Sequence, residues 1–93
     1  MYYILLYEVV DDYVNRRAPS REAHLGHAAK AHDQGHLVMA GAFANPVDGA
    51  ALVFQAENPS VVEDFARKDP YVINGLVTNW HVREWTVVVG GEQ

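Results

Sequence analysis

Cysteine is absent from these 93 residues, which removes disulfides, thiolate nucleophiles and cysteine zinc sites from consideration. Cations are scarce as well: 7 Lys+Arg stand against 12 Asp+Glu, for a net charge of -5. No basic run alternates with aromatics in the way that tracks a phosphate backbone, so we expect no nucleic-acid partner. Long apolar runs are missing too. The opening stretch MYYILLY has no cationic leader, is too short to span a bilayer and runs into EVVDDY. It reads as a strand, and the chain as a soluble, cytoplasmic protein with no membrane partner. There is no internal repeat, no linker and no low-complexity segment.

What remains is the composition of a folded domain. Hydrophobic residues make up 49% and charged residues 20%, too apolar for disorder except at the ends. The chain reads as a single domain over residues 1–93, with the tail GGEQ, from about residue 90, loose. A chain this short buries a smaller fraction of its surface than a large one, so help from a second copy fits.

Residues 2–10, YYILLYEVV, form an aromatic and β-branched run that is apolar on both alternating faces and therefore needs cover on both sides. From Ser20, SREAHLGHAAKAHDQG reads as a helix, with Ser20 as N-cap and Gly35 at the exit. Residues 36–44 and 49–57 are strand-like and flank NPVD, which makes a hairpin. Ser60 and Glu63 stand at the spacing of a capping box for a second helix, which stops near Asp69 because the residue before Pro70 is pushed out of the α region. Pro70 suits the first position of a short helix over YVIN, with Asp69 as its cap. In LVTNWHVREWTVVV the apolar parity changes between Val82 and Trp85, which suggests a bulge or a change of neighbour. Gly41, between two alanines in a strand, suggests another bulge or a pocket wall.

The order strand, helix, strand, strand, helix, strand implies an α+β sandwich of the ferredoxin-like βαββαβ kind. Two helices cover one face of a four-stranded sheet. The other face is expected to meet a second subunit, giving a homodimer.

Five histidines invite a metal reading, with His24 and His27 three apart and His32 and His36 four apart. At about 100° per residue, His24 and His32 share an arc with Arg21, Ala28 and Ala31, while His27 lies opposite among charged residues. That places His24 and His32 toward the sheet and His27 in water. The zinc helix motif, with glutamate beside paired histidines, is absent, and we expect neither metal nor cofactor. His24, beside Arg21 and with small neighbours that leave room for a pocket, is either a working imidazole or a core histidine tied to a backbone carbonyl. His32 near the helix end and Arg67-Lys68 at the end of the second helix have a plain explanation in the helix dipole. His81, in the last strand, reads as a sheet residue. The tryptophans, phenylalanines and tyrosines read as core or dimer interface before they read as catalysts.

Together, REAHLGHAAKAHDQGHLVMAGAF and ARKDPYVINGLV resemble the YciI-like (YCII) family over nearly the whole chain. Arg21, His24 and Leu25 match its Arg-x-x-His-Leu motif, Gly41 and Phe43 its Gly-Pro-Phe, and Asp69, Pro70 and Tyr71 its Asp-Pro-Tyr. The second match departs from the pattern, with Ala42 in place of proline, which touches the pocket rim more than the fold. The resemblance implies a dimeric α+β barrel of ferredoxin-like subunits and a pocket holding a histidine–aspartate pair, His24 and Asp69, with Arg21, Gly41, Phe43 and Tyr71 as substrate-binding residues. One branch is similar to enzymes that remove chloride from chlorinated hydroxyhydroquinones. It therefore implies cofactor-independent acid/base chemistry on a small, phenolic or quinol-like ligand. A non-catalytic metabolite-binding or structural dimer is the competing class, and a haem monooxygenase on a related barrel has only a spare histidine in its favour.

Overall fold

A computed structural model describes residues 1–91, so the end of the tail expected to be loose lies outside the described residues. The elements run β1 (Tyr2–Val9), α1 (Tyr13–Arg16), a 3-10 turn (Ala18–Ser20), α2 (Arg21–Asp33), β2 (Leu37–Ala42), β3 (Gly49–Gln55), α3 (Ser60–Lys68), α4 (Pro70–Ile73) and β4 (Val77–Trp85). The four strands form one sheet in the order β2-β3-β1-β4, with every neighbouring pair antiparallel. This is the ferredoxin-like α+β arrangement that the element order implies, with the apolar β1 in the interior of the sheet.

Register fixes the two faces, because residues opposite one another in an antiparallel ladder share a face. Tyr3, Leu5 and Tyr7 pair with Phe54, Leu52 and Ala50, and all six are buried against the helices. α3 contributes Val62, Phe65 and Ala66 at the spacing of one helical stripe. Fully burying Leu5 or Phe54 contributes about 1.5–3 kcal/mol each. Gly49 is held to glycine by close approach: a Cβ there would meet the Tyr7 carbonyl oxygen at 2.8 Å and the Phe43 ring at 3.0 Å. The opposite face carries Tyr2, Ile4 and Leu6 beside Met39, Val53 and Trp85, with Glu8, His81 and Arg83 among them, and among the described residues no helix packs on it.

Local details depart from the sequence reading in four places. Ser20 precedes α2 but makes no capping bond, because the 3-10 turn runs straight into the helix; its hydroxyl accepts from Asn74 Nδ2 at 3.0 Å instead. The capping box is not formed either: Ser60 is already helical, and Asn58 Oδ1 accepts from the Ser60 N–H at 3.0 Å and from its hydroxyl. The β2 irregularity falls at Val38 and not at Gly41, which pairs regularly with Ala51. In β4 the irregularity falls at Thr78, while the stretch from Val82 to Trp85 pairs without a break. Parity misplaced that bulge because Trp80 and Val82 face the helices whereas Trp85 lies on the outer face, where its strand neighbours Asn79, His81 and Arg83 are polar.

The segment between β1 and α2, unassigned from sequence, folds as the four-residue α1 and the turn behind it, and buries Tyr13. Among the described residues no helix is long and apolar enough to cross a membrane.

Candidate functional site

Asp69 occupies two structural posts at once. It is the C-cap of α3, with extended backbone at φ -68° and ψ 124°, and the N-cap of α4, where its Oδ1 accepts the Tyr71 N–H at 3.0 Å. Proline at the next position forces this geometry, since an α conformation before proline is sterically disfavoured. The helix stop thereby fixes where the carboxylate points.

It points inward. Asp69 is 0% exposed, the one charged side chain wholly inside among the described residues. His24 Nδ1 lies 2.7 Å from Oδ1, and the Tyr7 hydroxyl donates to Oδ2 at 2.7 Å. An unpartnered carboxylate in such a place costs several kcal/mol, whereas here each oxygen is engaged. Burial first, then the Asp69 charge and hydrogen bond, push the Tyr7 hydroxyl far above the ordinary tyrosine value, so it keeps its proton and acts as donor. The backbone N–H of Tyr71 is likewise a donor only. A carboxylate has no proton to give, so the third contact is His24 Nδ1–H donating to Asp69. That leaves Nε2 as the basic nitrogen of the neutral ring, with no protein partner among the described residues.

Rings hold the imidazole in place. His24 stacks on Tyr71 at 3.8 Å and 6°, Tyr13 meets Tyr71 edge-on at 5.8 Å, and the Arg17 guanidinium lies 5.1 Å above Tyr13. The Tyr13 hydroxyl is also raised, chiefly by burial, with Arg17 working against the shift. Tyr71 is buried, and its hydroxyl has no hydrogen-bond partner among the described protein groups. Leaving such a group unsatisfied costs about 1–3 kcal/mol.

A cavity of about 320 Å³ opens beside the pair, lined by Tyr7, Tyr13, Arg17, Arg21, His24 and Tyr71 together with Leu25, Leu52 and small residues of α2, β2 and β3. Arg21 and Gly41 line it, as does Ala42, which stands where the family motif has proline. Phe43 does not; it sits 47% exposed beside the hairpin turn with its ring near Gly49. Sequence reasoning passed over Tyr7, Tyr13 and Arg17. The period of β1 puts Tyr3, Leu5 and Tyr7 on one face, which was the available signal for Tyr7, but nothing local says which of these meets a carboxylate.

Two histidine assignments reverse. His27 is half-buried, not in water: its ring stacks on Phe65 at 4.3 Å and its Nε2–H donates to the Phe65 carbonyl at 2.9 Å. His32 is exposed rather than facing the sheet. The buried arc of α2 runs through His24, His27, Ala28 and Ala31, rotated toward α3, because the helix packs on its neighbour as well as on the sheet. The backbone-carbonyl option considered for His24 belongs to His27. Among the described residues no group of three or more His, Asp and Glu side chains is placed to hold a metal ion.

A ferredoxin-like α+β domain with a buried histidine–aspartate pair beside a small cavity is the class that fold and geometry define. The chain belongs to the YCII-related domain family, whose sequence profile matches residues 1–86. An uncharacterized protein of Haemophilus influenzae is 27% identical over 97 residues, covering 95% of this chain and 99% of its own length. The fold is similar to that of 5-chloro-2-hydroxyhydroquinone dehydrochlorinase from Burkholderia phenoliruptrix AC1100, solved with 2,5-dihydroxybenzoquinone, at a TM-score of 0.78 and 19% identity over 92% of this chain and 94% of that one.

Proposed function

We propose that this protein is a cytoplasmic, cofactor-independent enzyme that moves a proton on a small phenolic or quinol-like substrate, with His24 as general acid/base and Asp69 as its orienting partner. The observation that carries the reading is the 2.7 Å contact between His24 Nδ1 and a wholly buried Asp69 at the wall of a cavity. His24 Nε2 accepts a hydroxyl proton, and Asp69 stabilises the imidazolium that forms. Tyr7 and the Tyr71 N–H keep the carboxylate fixed while that charge appears. Arg21, Gly41 and Tyr71, which line the cavity, bind substrate, whereas Phe43 stands outside it.

Loss of hydrogen chloride suits this equipment. His24 moves one hydroxyl proton to the ring carbon that carries chlorine, giving the keto form; a second hydroxyl proton and chloride, with its bonding pair, then leave to give a quinone, so no external oxidant or reductant is consumed. The structural likeness to a dehydrochlorinase supports trying chlorinated quinols first. The outer face of the sheet, on which no helix packs among the described residues, supports a homodimer, two copies packing these faces together.

The test is chloride release from a panel of chlorinated phenols and hydroquinones. His24→Gln and Asp69→Asn are each expected to slow it by about 10²- to 10⁴-fold, the usual contribution of a positioned acid/base. Binding of the same compounds with no turnover in the parent protein assigns the non-catalytic binding module instead.

A further inference from the structure

We propose that the cavity takes a small aromatic oxyanion, its negative group held at the end formed by Arg17 and Arg21 while a hydroxyl of the same molecule reaches His24. For the role of His24 this rests on the proton-transfer reading above; the anion subsite itself does not.

Charge is the first argument. Carboxylates outnumber cations in this chain, 12 to 7, yet two guanidiniums line one cavity and neither is paired with a carboxylate among the described residues. The ion pairs among the described residues are His24–Asp69 and Arg67–Asp64. Arg21 is exposed and Arg17 half-buried, so both stand toward the solvent end, away from Asp69. Asp69 is the acidic side chain beneath the cavity and repels an anion, which pushes the negative group of a ligand to the arginine end.

Shape and hydrogen bonding agree. His24, Tyr71 and Tyr13 form a continuous run of ring contacts that ends under the Arg17 guanidinium. Ala28, Ala40, Gly41 and Ala42, with Leu25, Ala50 and Leu52, complete the lining and leave apolar space for a ring. Tyr71, whose hydroxyl has no protein partner among the described residues, also lines the cavity. Guanidinium recognises planar oxyanions through paired N–H groups, so carboxylate and phosphate share the required chemistry.

Calorimetric titration decides it with three probes: 2,5-dihydroxybenzoate, its neutral counterpart 2,5-dihydroxybenzyl alcohol, and phenyl phosphate. At least one anion is expected to bind about tenfold or more tightly than the alcohol, with the margin shrinking as salt rises. The tighter anion identifies carboxylate or phosphate. Arg17→Gln and Arg21→Gln are each expected to reduce the margin, and Asp69→Asn to retain it. Equal affinity for acid and alcohol in the parent protein, no binding of any probe, or a margin that survives both arginine substitutions overturns the proposal. Because the acid-to-alcohol comparison uses the parent protein, a variant that misfolds does not stop the test. Selective anion binding without turnover leaves the subsite standing and sinks the acid/base role; turnover of neutral quinols without anion preference does the reverse.

Discussion

The Tyr7 hydroxyl donates to Asp69 Oδ2 at 2.7 Å across 62 residues of sequence, tying the middle of the sheet to the junction between α3 and α4. Its consequence is a pH dependence. Tyr7 is buried and its hydroxyl is raised well above the ordinary 10.0, by desolvation first and by Asp69 second. In the unfolded chain it ionises near 10.0, while the folded protein keeps the proton. The folded state then binds more protons, so this contribution to stability is complete below that pH and falls as pH rises above it. The slope is about 1.4 kcal/mol per pH unit for one such group. Urea denaturation between pH 8 and 11.5 should show the decline. Tyr7→Phe should be less stable at pH 8 by about 1–3 kcal/mol, because Oδ2 loses its donor in a dry site. Its decline above pH 10 should be shallower than in the parent protein. An identical slope in both rules out Tyr7 as the source.

The second prediction concerns tautomers. With Asp69 as a carboxylate, the neutral His24 ring carries its proton on Nδ1. Asp69→Asn keeps a good N-cap for α4, so the fold should survive. Because the oxygen that caps the Tyr71 N–H is the one that also accepts from His24, the amide oxygen placed there should keep the ring proton on Nδ1, while the NH2 takes the Oδ2 position and donates to the Tyr7 hydroxyl. Long-range proton–nitrogen correlation spectra of labelled protein distinguish the two forms. An Nδ1–H ring is expected in both proteins; an Nε2–H ring in the parent protein overturns the assignment, and one in the variant alone means that the amide has turned its NH2 to His24 and given up the Tyr71 cap.

How far the sequence carried these conclusions varied with the kind of signal. Strands were legible because β1 is dense in β-branched and aromatic residues and β3 is a short apolar run, and the hairpin because NPVD separates β2 from β3. The Asp69–Pro70 stop was legible because its cause is steric and local. The orientation of α2 was not, since Leu25 is 48% exposed while His27, polar in type, packs on Phe65. A helix whose contact face is built from alanine and histidine gives almost no hydrophobic contrast to read. α1 is one turn long, too short for any periodicity, and so Tyr13 and Arg17 went unseen beside a cavity they help to form. Tyr7 was on the correct face for a reason that sequence supplies, but its partner lies 62 residues away and only tertiary structure joins them.

The last prediction tests the outer face of the sheet. Leu6 sits in the middle of β1, opposite Ala51 on one side and His81 on the other, and points away from the helices. Met39 and Trp85 on the same face are 64% and 46% exposed in the single chain. Large side chains left in water this way lose the burial that stabilises the rest of the domain, and a two-fold axis through the face would restore it for both copies. Sedimentation equilibrium should give twice the 10.4 kDa of the chain. Leu6→Lys places an unpaired ammonium in that contact twice, once from each copy, at a cost of several kcal/mol, and should return the mass of a single chain. Val14→Lys, at an exposed site on α1, should leave the mass unchanged. A parent protein that sediments at 10.4 kDa at high concentration sinks the dimer and leaves the apolar face for some other partner.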